Sequence, residues 1–401
     1  MKTLDQVQPR TPIGSLPYTI STPGSYYLTG NVAVTNGKSG ISIQSDNVTV
    51  DLGGFTLTGN VTNTATGIIV PGTAGIRKNI CIQNGTVRAW GNGGVRADSA
   101  RNSHLENLWA SDNSGDVTTG AAGIVVGEGS SAKNYAASAN NCLGIHGGNG
   151  SSILDCTAWA NSAAGFFLDD GATLSRCTAK GNTADGIQAD DYCTIVHCTT
   201  IGNHGSGINV NLGDNVIDCA ASANNSDGIL AQQGSTVRGC NTVSNGWSGI
   251  EVTGACHVTG NTSDNNNHAM STYAGINATG AGNVIRANNC TNNISGGFGI
   301  KVGSKSVVES NSLDGNSNGI LVNGTRNRIE ANRASCHSAG QAFILSGANN
   351  LIIRNSARDN GTNQYQLNVS GNSYGPIINV AGVGDISGTA NANHPLANFV
   401  Y

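Results

Sequence analysis

The sequence predicts an all-β fold, a single-stranded right-handed parallel β-helix of about thirteen coils with three strands per coil. Three columns of residues sharing one period predict it. Gly followed by a bulky apolar residue recurs every 21 residues, at Gly123-Ile124, Gly144-Ile145, Gly165-Phe166, Gly186-Ile187, Gly207-Ile208, Gly228-Ile229 and Gly249-Ile250. Asn keeps the same step at Asn140, Asn161, Asn182, Asn203, Asn224, Asn245 and Asn266, and Cys does so at Cys156, Cys177, Cys198, Cys219 and Cys240. Columns that share a period mean one structural unit stacked on copies of itself.

Residues 1–39 read as an N-terminal cap with lead-in strands. The stretch from Leu16 to Leu28, with Pro17 and Pro23, covers the first coil, whose open end would otherwise present unpaired strand edges. Residues 40–374 read as the solenoid. In the coil 182–202, Ile187 and Ala189 alternate with Gln188, Cys193 and Ile195 with Thr194, and Cys198 and Thr200 with Thr199. Those are three short period-two segments, too interrupted for helix. The Asn column fits a turn where the backbone becomes left-handed, with amides stacked up the column. Steps lengthen to 27, 27 and 29 residues across Gly40, Gly67, Gly94 and Gly123, and to 26 and 24 between Gly249, Gly275 and Gly299. The added length falls mainly in 112–122 and 265–274, and long connections in a compact repeat tend to shape a site. Residues 375–401 lose the pattern and read as a tail over the last coil or down its side.

Composition excludes several classes. Charged residues are 11%, aromatics 5% and Gly numbers 57 of 401, which argues against long helices with exposed polar faces. A net charge of −4 with scattered Lys and Arg gives no basic stripe for nucleic acid. No apolar run approaches the roughly 18 residues of a membrane span. Residues 1–15 lack the apolar core of a secretion signal, so an extracellular location presumes its removal. The eleven cysteines form no metal-like pairs. Five lie in phase with inward apolar positions, with Tyr135 one coil earlier, and read as an unpaired packing ladder.

The repeated N-x-x-x-G-I steps and inward V/I/L-x-x-C steps, from about Gly40 to Leu367, make the chain resemble the right-handed parallel β-helix superfamily of polysaccharide lyases, pectinase-type glycosidases and phage tailspikes. That resemblance implies a polysaccharide or oligosaccharide partner lying along the Gly-Ile strand face, an extracellular or cell-surface setting, and a monomer or homotrimer. The steps Asn182-Thr-Ala-Asp185-Gly-Ile and Asn203-His204-Gly-Ser-Gly-Ile resemble two pectinase signatures. Ala184 interrupts the first, and no R-x-K follows.

Counting one position past each Gly-Ile gives an outward file of Val125, His146, Phe167, Gln188, Asn209, Leu230, Glu251, Asn277 and Lys301. Phe167, Gln188, Asn209, Glu251, Asn277 and Lys301 supply the ring faces and hydrogen-bonding groups of a sugar-binding floor. Just beyond, adjacent coils set Asp169 and Asp170 against Asp190 and Asp191, about 4.8 Å per rung apart, with Glu128 and Asn149 in the same column. Three readings compete: a Ca²⁺ site centred on Asp170 and Asp191, a hydrolytic carboxylate pair, or Asp-rich turns that cap backbone amides. His146 stands beside them as proton donor or acceptor. Asp185 and Asp227, with His204 near, form a second candidate pair two coils apart. Asp155, Arg176, His197 and Asp218 form a ladder of alternating charge, or in a lyase supply a base. A polysaccharide lyase or glycoside hydrolase is the leading expectation. A non-catalytic carbohydrate-binding or adhesive module is the rival.

Overall fold

The computed structural model describes residues 10–34, 37–62, 64–267, 273–295, 297–337, 340–361, 363–367, 369–380 and 389–401. These residues form a right-handed parallel β-helix of short strands, with 3-10 turns at Gly72–Ala74 and Val117–Thr119. The chain divides into two compact units, 1–204 and 205–401.

Each unit stacks eight strands on the Gly-Ile face. In the first they run from Tyr18–Ile20 to Ile187–Ala189, and in the second from Ile208–Val210 to Tyr365–Leu367. The thirteen expected coils are therefore too few. Three rungs, Tyr18–Ile20, Phe343–Leu345 and Tyr365–Leu367, carry no Gly-Ile step and so left no mark in that column. They pair because an inward apolar residue on either side of an outward one is all the strand needs, as in Phe343-Ile344-Leu345.

The coil 182–202 forms strands at Ile187–Ala189, Thr194–Val196 and Thr199–Ile201. Ile187, Ala189, Cys193, Ile195, Cys198 and Thr200 all face the interior and are buried. The lead-in is built of rungs: Tyr18–Ile20 pairs with Ile41–Ile43, and Arg10–Ile13 pairs with Ser25–Leu28. At the far end Asn398–Val400 of the tail pairs with Ile377–Asn379 and with Ser356–Ala357. Residues 1–9 of the lead-in and 268–272 of the long connection lie outside the described residues.

The Asn column is not the left-handed position. Positive φ falls on the residue before it, at Ala139, Ala160, Ala223, Ser244 and Asn265, and on Gly181 and Gly202. That residue swings the next side chain inward, so each Asn amide is buried. Asn140 Nδ2 donates to Asn161 Oδ1 at 2.9 Å and Asn161 Nδ2 to Asn182 Oδ1 at 3.0 Å, while backbone N–H groups share the same acceptors. The stacking of amides is as expected. Buried polar groups this close to the core persist only because every one is paired along the column.

All eleven cysteines are free thiols. Cys177 Sγ accepts from the Cys156 N–H at 3.3 Å, so the thiol column copies the bonding of the amide column. Burial pushes the Cys177 thiol far up, which keeps it protonated and inert.

Candidate functional site

In the first unit the outward file of the Gly-Ile face is Arg96, Val125, His146, Phe167 and Gln188, in strict register. The counting rule that located His146, Phe167 and Gln188 also reaches Arg96, which sequence reasoning passed over although Gly94-Val95 precedes it. Its Nη2 donates to Asp98 Oδ2 at 3.3 Å, and its buried Nε has no hydrogen-bond partner.

The lengthened connection 112–122 supplies a cover. Asp116 accepts from the Thr118 N–H at 2.9 Å and starts the 3-10 turn Val117–Thr119, which ends at Gly120 in a left-handed conformation (φ +71°). Gly120 lies against the imidazole: a Cβ there would stand 3.3 Å from His146 Nδ1. Val125, outward in register, is buried with Ala122, Leu143 and Ala164, and Phe167 packs on that cluster. An outward position thus becomes a small apolar core, and only part of the expected floor is open.

The acidic residues meet as their register requires. Phe167 opposes Gln188 and Leu168 opposes Ala189, so Asp169 and Asp190 follow on successive rungs. The Asp190 N–H donates to the Leu168 carbonyl at 2.8 Å. His146 Nε2 is 2.9 Å from Asp169 Oδ1, and its ring meets Phe167 edge-on at 5.1 Å. Partial burial, then the charges of Asp169, Asp170 and Asp191, push the Asp190 carboxyl up, and His146 acts the other way. Asp98, Glu128, His146, Asn149 and Asp169 line a cavity of about 220 Å³.

Not every carboxylate there is available. Asp170 Oδ1 accepts from the Asp191 N–H at 3.2 Å, one rung on. Among the described residues no three His, Cys, Asp or Glu side chains gather as a metal-binding group. Asp170 thus holds a backbone amide through one oxygen and Asp169 holds His146 through one oxygen.

The second candidate pair spans the two units. Asp185 and His204 belong to the first unit and Asp227 to the second. His204 is exposed, with Nδ1 3.4 Å from the Asn182 carbonyl oxygen. Asp227 is buried and its Oδ1 accepts from the Ser248 N–H at 2.9 Å, one rung on. In the charge ladder Arg176 forks onto Asp155, Nε to Oδ1 at 2.7 Å and Nη2 to Oδ2 at 3.0 Å. That hydrogen bond holds the Asp155 carboxyl below its ordinary range and accounts for both side chains without function.

The second unit carries its own file: Asn209, Leu230, Glu251, Asn277, Lys301 and Leu321. Asn277 Nδ2 donates to Glu251 Oε2 at 3.1 Å. Trp247 and Tyr273, in the turns leading into this face, stack with centroids 5.3 Å apart and planes 8° from parallel. Lys301 lines a separate cavity of about 260 Å³ with Thr279, Val302, Gly303 and Asn323.

Residues 187–325 and 227–379 match the family model described as right handed beta helix region. No curated protein sequence matches the chain. Among solved structures the chain is similar to the A-module of the mannuronan C-5 epimerase AlgE4 of Azotobacter vinelandii, at 15% identity over 91% of this chain and 90% of that one, with a TM-score of 0.36. It is also similar to the pre-mature gene product 12 of bacteriophage phi29, at 13% identity over 94% and 56% with a TM-score of 0.45. The tailspike receptor binding domain of siphovirus 9NA is similar at 9% identity over 89% and 75%, with a TM-score of 0.41. Among the described residues no helix is long and apolar enough to cross a membrane.

Proposed function

We propose that this right-handed β-helix hydrolyses a glycosidic bond of an extracellular polysaccharide, on the Gly-Ile face of its first unit. The observation that carries the reading is the divided environment of two carboxyls on successive rungs. Asp169 is paired with His146 at 2.9 Å, while Asp190 is pushed toward its protonated form by burial and by three neighbouring carboxylates. A carboxyl raised toward its protonated form, one rung from a carboxylate held by a histidine, suits a division into acid and nucleophile. A rung spacing of about 4.8 Å is compatible with the carboxyl separation of about 5 Å that a retaining glycosidase needs.

In this scheme Asp190 gives its proton to the glycosidic oxygen as the bond breaks, and Asp169 attacks the anomeric carbon. Asp190 then takes a proton from the water that releases the sugar from Asp169. His146 holds the Asp169 carboxylate in place. Phe167 and Gln188 offer the adjoining sugar a ring face and an amide. Asp170 and Asp191 act only through their charge on Asp190, and the scheme does not use Asp185, His204 or Asp227.

A panel of polysaccharides, followed by mass analysis of the products, tests the reading. New reducing ends without the absorbance of an unsaturated uronide are expected, unchanged by EDTA, and Asp169→Asn or Asp190→Asn should each lower the rate at least about a hundredfold. Unsaturated products would replace hydrolysis with elimination, and full activity in both variants would remove the site. A non-catalytic glycan-binding module is the second reading, favoured by the bond of Asp170 to the Asp191 N–H. Binding without product in every substrate of the panel would establish it.

A further inference from the structure

We propose that the second unit holds a separate binding subsite for an uncharged pyranose, formed by Trp247, Tyr273, Glu251 and Asn277. The inference rests on the reading that the chain acts on saccharides, but on none of the groups assigned to cleavage.

Four observations converge. Trp247 is 40% exposed although its ring lies parallel to Tyr273, so the stacked pair fixes a large apolar face that water still covers. A second aromatic behind the first removes the rotamer freedom that a lone surface Trp would lose on binding. Glu251 and Asn277 are register neighbours in the outward file, on the strands that follow Trp247 and Tyr273 directly. Asn277 is only 5% exposed, donates to Glu251 through Nδ2, and leaves its buried Oδ1 without a hydrogen bond. A buried amide oxygen one bond short is costly, and a ligand donor that reached it after a small turn of the side chain would recover that cost.

The chemistry of the groups selects the ligand. Glu251 and Asn277 Oδ1 are acceptors, so the ligand must bring donors, and sugar hydroxyls are donors beside an apolar C–H face. A uronate or sulfated sugar would set its anion against Glu251, while Asp227 also bears on the Tyr273 hydroxyl. Lys301, on the rung after Asn277, brings one positive charge against the two carboxylates of Glu251 and Asp227, so the balance stays acidic. An uncharged hexose or pentose unit is the class that fits.

Calorimetry on the full chain carrying Asp169→Asn, which prevents turnover, tests the subsite with two sets of probes. The uncharged set is cellohexaose, maltohexaose, xylohexaose and mannohexaose, and the acidic set is hexamers of galacturonate and mannuronate. At least one uncharged probe should bind, and Trp247→Ala should weaken it about tenfold while Trp247→Phe restores part of the loss. Equal binding by Trp247→Ala, preference for the acidic probes, or no binding by any uncharged probe overturns the inference. Cleavage by the wild-type chain without Trp247-dependent binding would sink this subsite alone. Trp247-dependent binding without cleavage would sink the proposed hydrolysis alone.

Discussion

At Gly165 an added methyl group would stand 2.7 Å from the Asn182 amide nitrogen, and the same clash meets Gly123 against Asn140 and Gly228 against Asn245. The two most visible columns of the sequence are therefore coupled, although the carbonyl of the next rung also crowds the glycine, at 2.6 Å for Gly228. The buried amide that closes each coil leaves no room for a Cβ where the coil opens, so Gly and Asn must repeat together. At Gly319 a Cβ would meet the Ala342 carbonyl oxygen at 2.1 Å and His337 Nε2 at 2.9 Å, since His337 stands where the column has Asn. His337 is fully buried, with Nδ1 3.2 Å from the Asn316 carbonyl oxygen and Nε2 unpartnered. Burial pulls its pKa down to about 4. A histidine depressed in the folded state takes its proton first in the unfolded chain, near pH 6.5. Its neutral form is thus fully accommodated above about pH 6.5, and stability is lost as pH falls toward 4, by up to about 3 kcal/mol. His337→Asn is expected to abolish that share of acid sensitivity. The urea midpoint of the wild-type chain should fall more steeply between pH 7 and 4.5 than that of the variant, and an unchanged pH dependence would show that His337 contributes nothing to it.

At the scale of the elements, one column changes its chemistry without changing its place. The position held by Cys219 and Cys240 continues as Asn261, Asn288, Asn311, Asn332 and Asn355, each receiving the backbone N–H of the rung before it. This continuation escaped the sequence reading because its steps are 27, 23, 21 and 23 residues. The strands were legible wherever the period held, since alternation at fixed phase needs only inward apolar residues. The left-handed turns were misplaced by one residue because Ala, Gly, Ser and Asn all occupy them, leaving no compositional mark. In the candidate site the file through His146, Phe167 and Gln188 followed from counting alone. The bond from His146 to Asp169 runs diagonally between rungs, and the contact with Gly120 comes from a loop outside the repeat, so neither could be counted. The handover of the column carries a prediction. Asn261→Ala should cost about 2–4 kcal/mol, because it leaves the buried N–H of Cys240 unpaired and removes the bonds of Nδ2 to Val237 and Asn288. Asn261→Cys should cost less than half as much, since a thiol there can accept that N–H as Cys177 does from Cys156. Equal losses in denaturant melts would mean that the two ladders are not interchangeable.

On the scale of the whole molecule, a solenoid has no way to close on itself, so its ends must be finished by other means. The tail of the second unit does this with the same devices as the coils. Asn398 accepts the Asn355 N–H at 3.0 Å and its Nδ2 bonds to the Ile352 and Gly375 carbonyls, placing one more amide at the end of the asparagine column. Phe399 and Val400 pair with Ser356 and Ala357, and Ile378 and Ala397 are buried beneath. The Arg358 guanidinium lies 5.7 Å from the Tyr401 ring, which ties Tyr401 to the same strand. Removing residues 375–401 would uncover the Ser356–Arg358 edge and leave the Asn355 N–H unpaired in the absence of a further rung. Strand edges of this kind recruit other chains, since each exposes a row of unsatisfied donors and acceptors. The truncated protein is therefore expected to melt at lower temperature and to associate with rising concentration in light scattering, while its strand content by circular dichroism stays close to that of the full chain. The discriminating control is Asn398→Ala in the full chain. It removes the amide but keeps the Phe399 pairing, so it should lower the melting temperature without causing association. A truncated chain that stayed at one mass across the concentration range would show that the tail serves stability only and does not guard the edge.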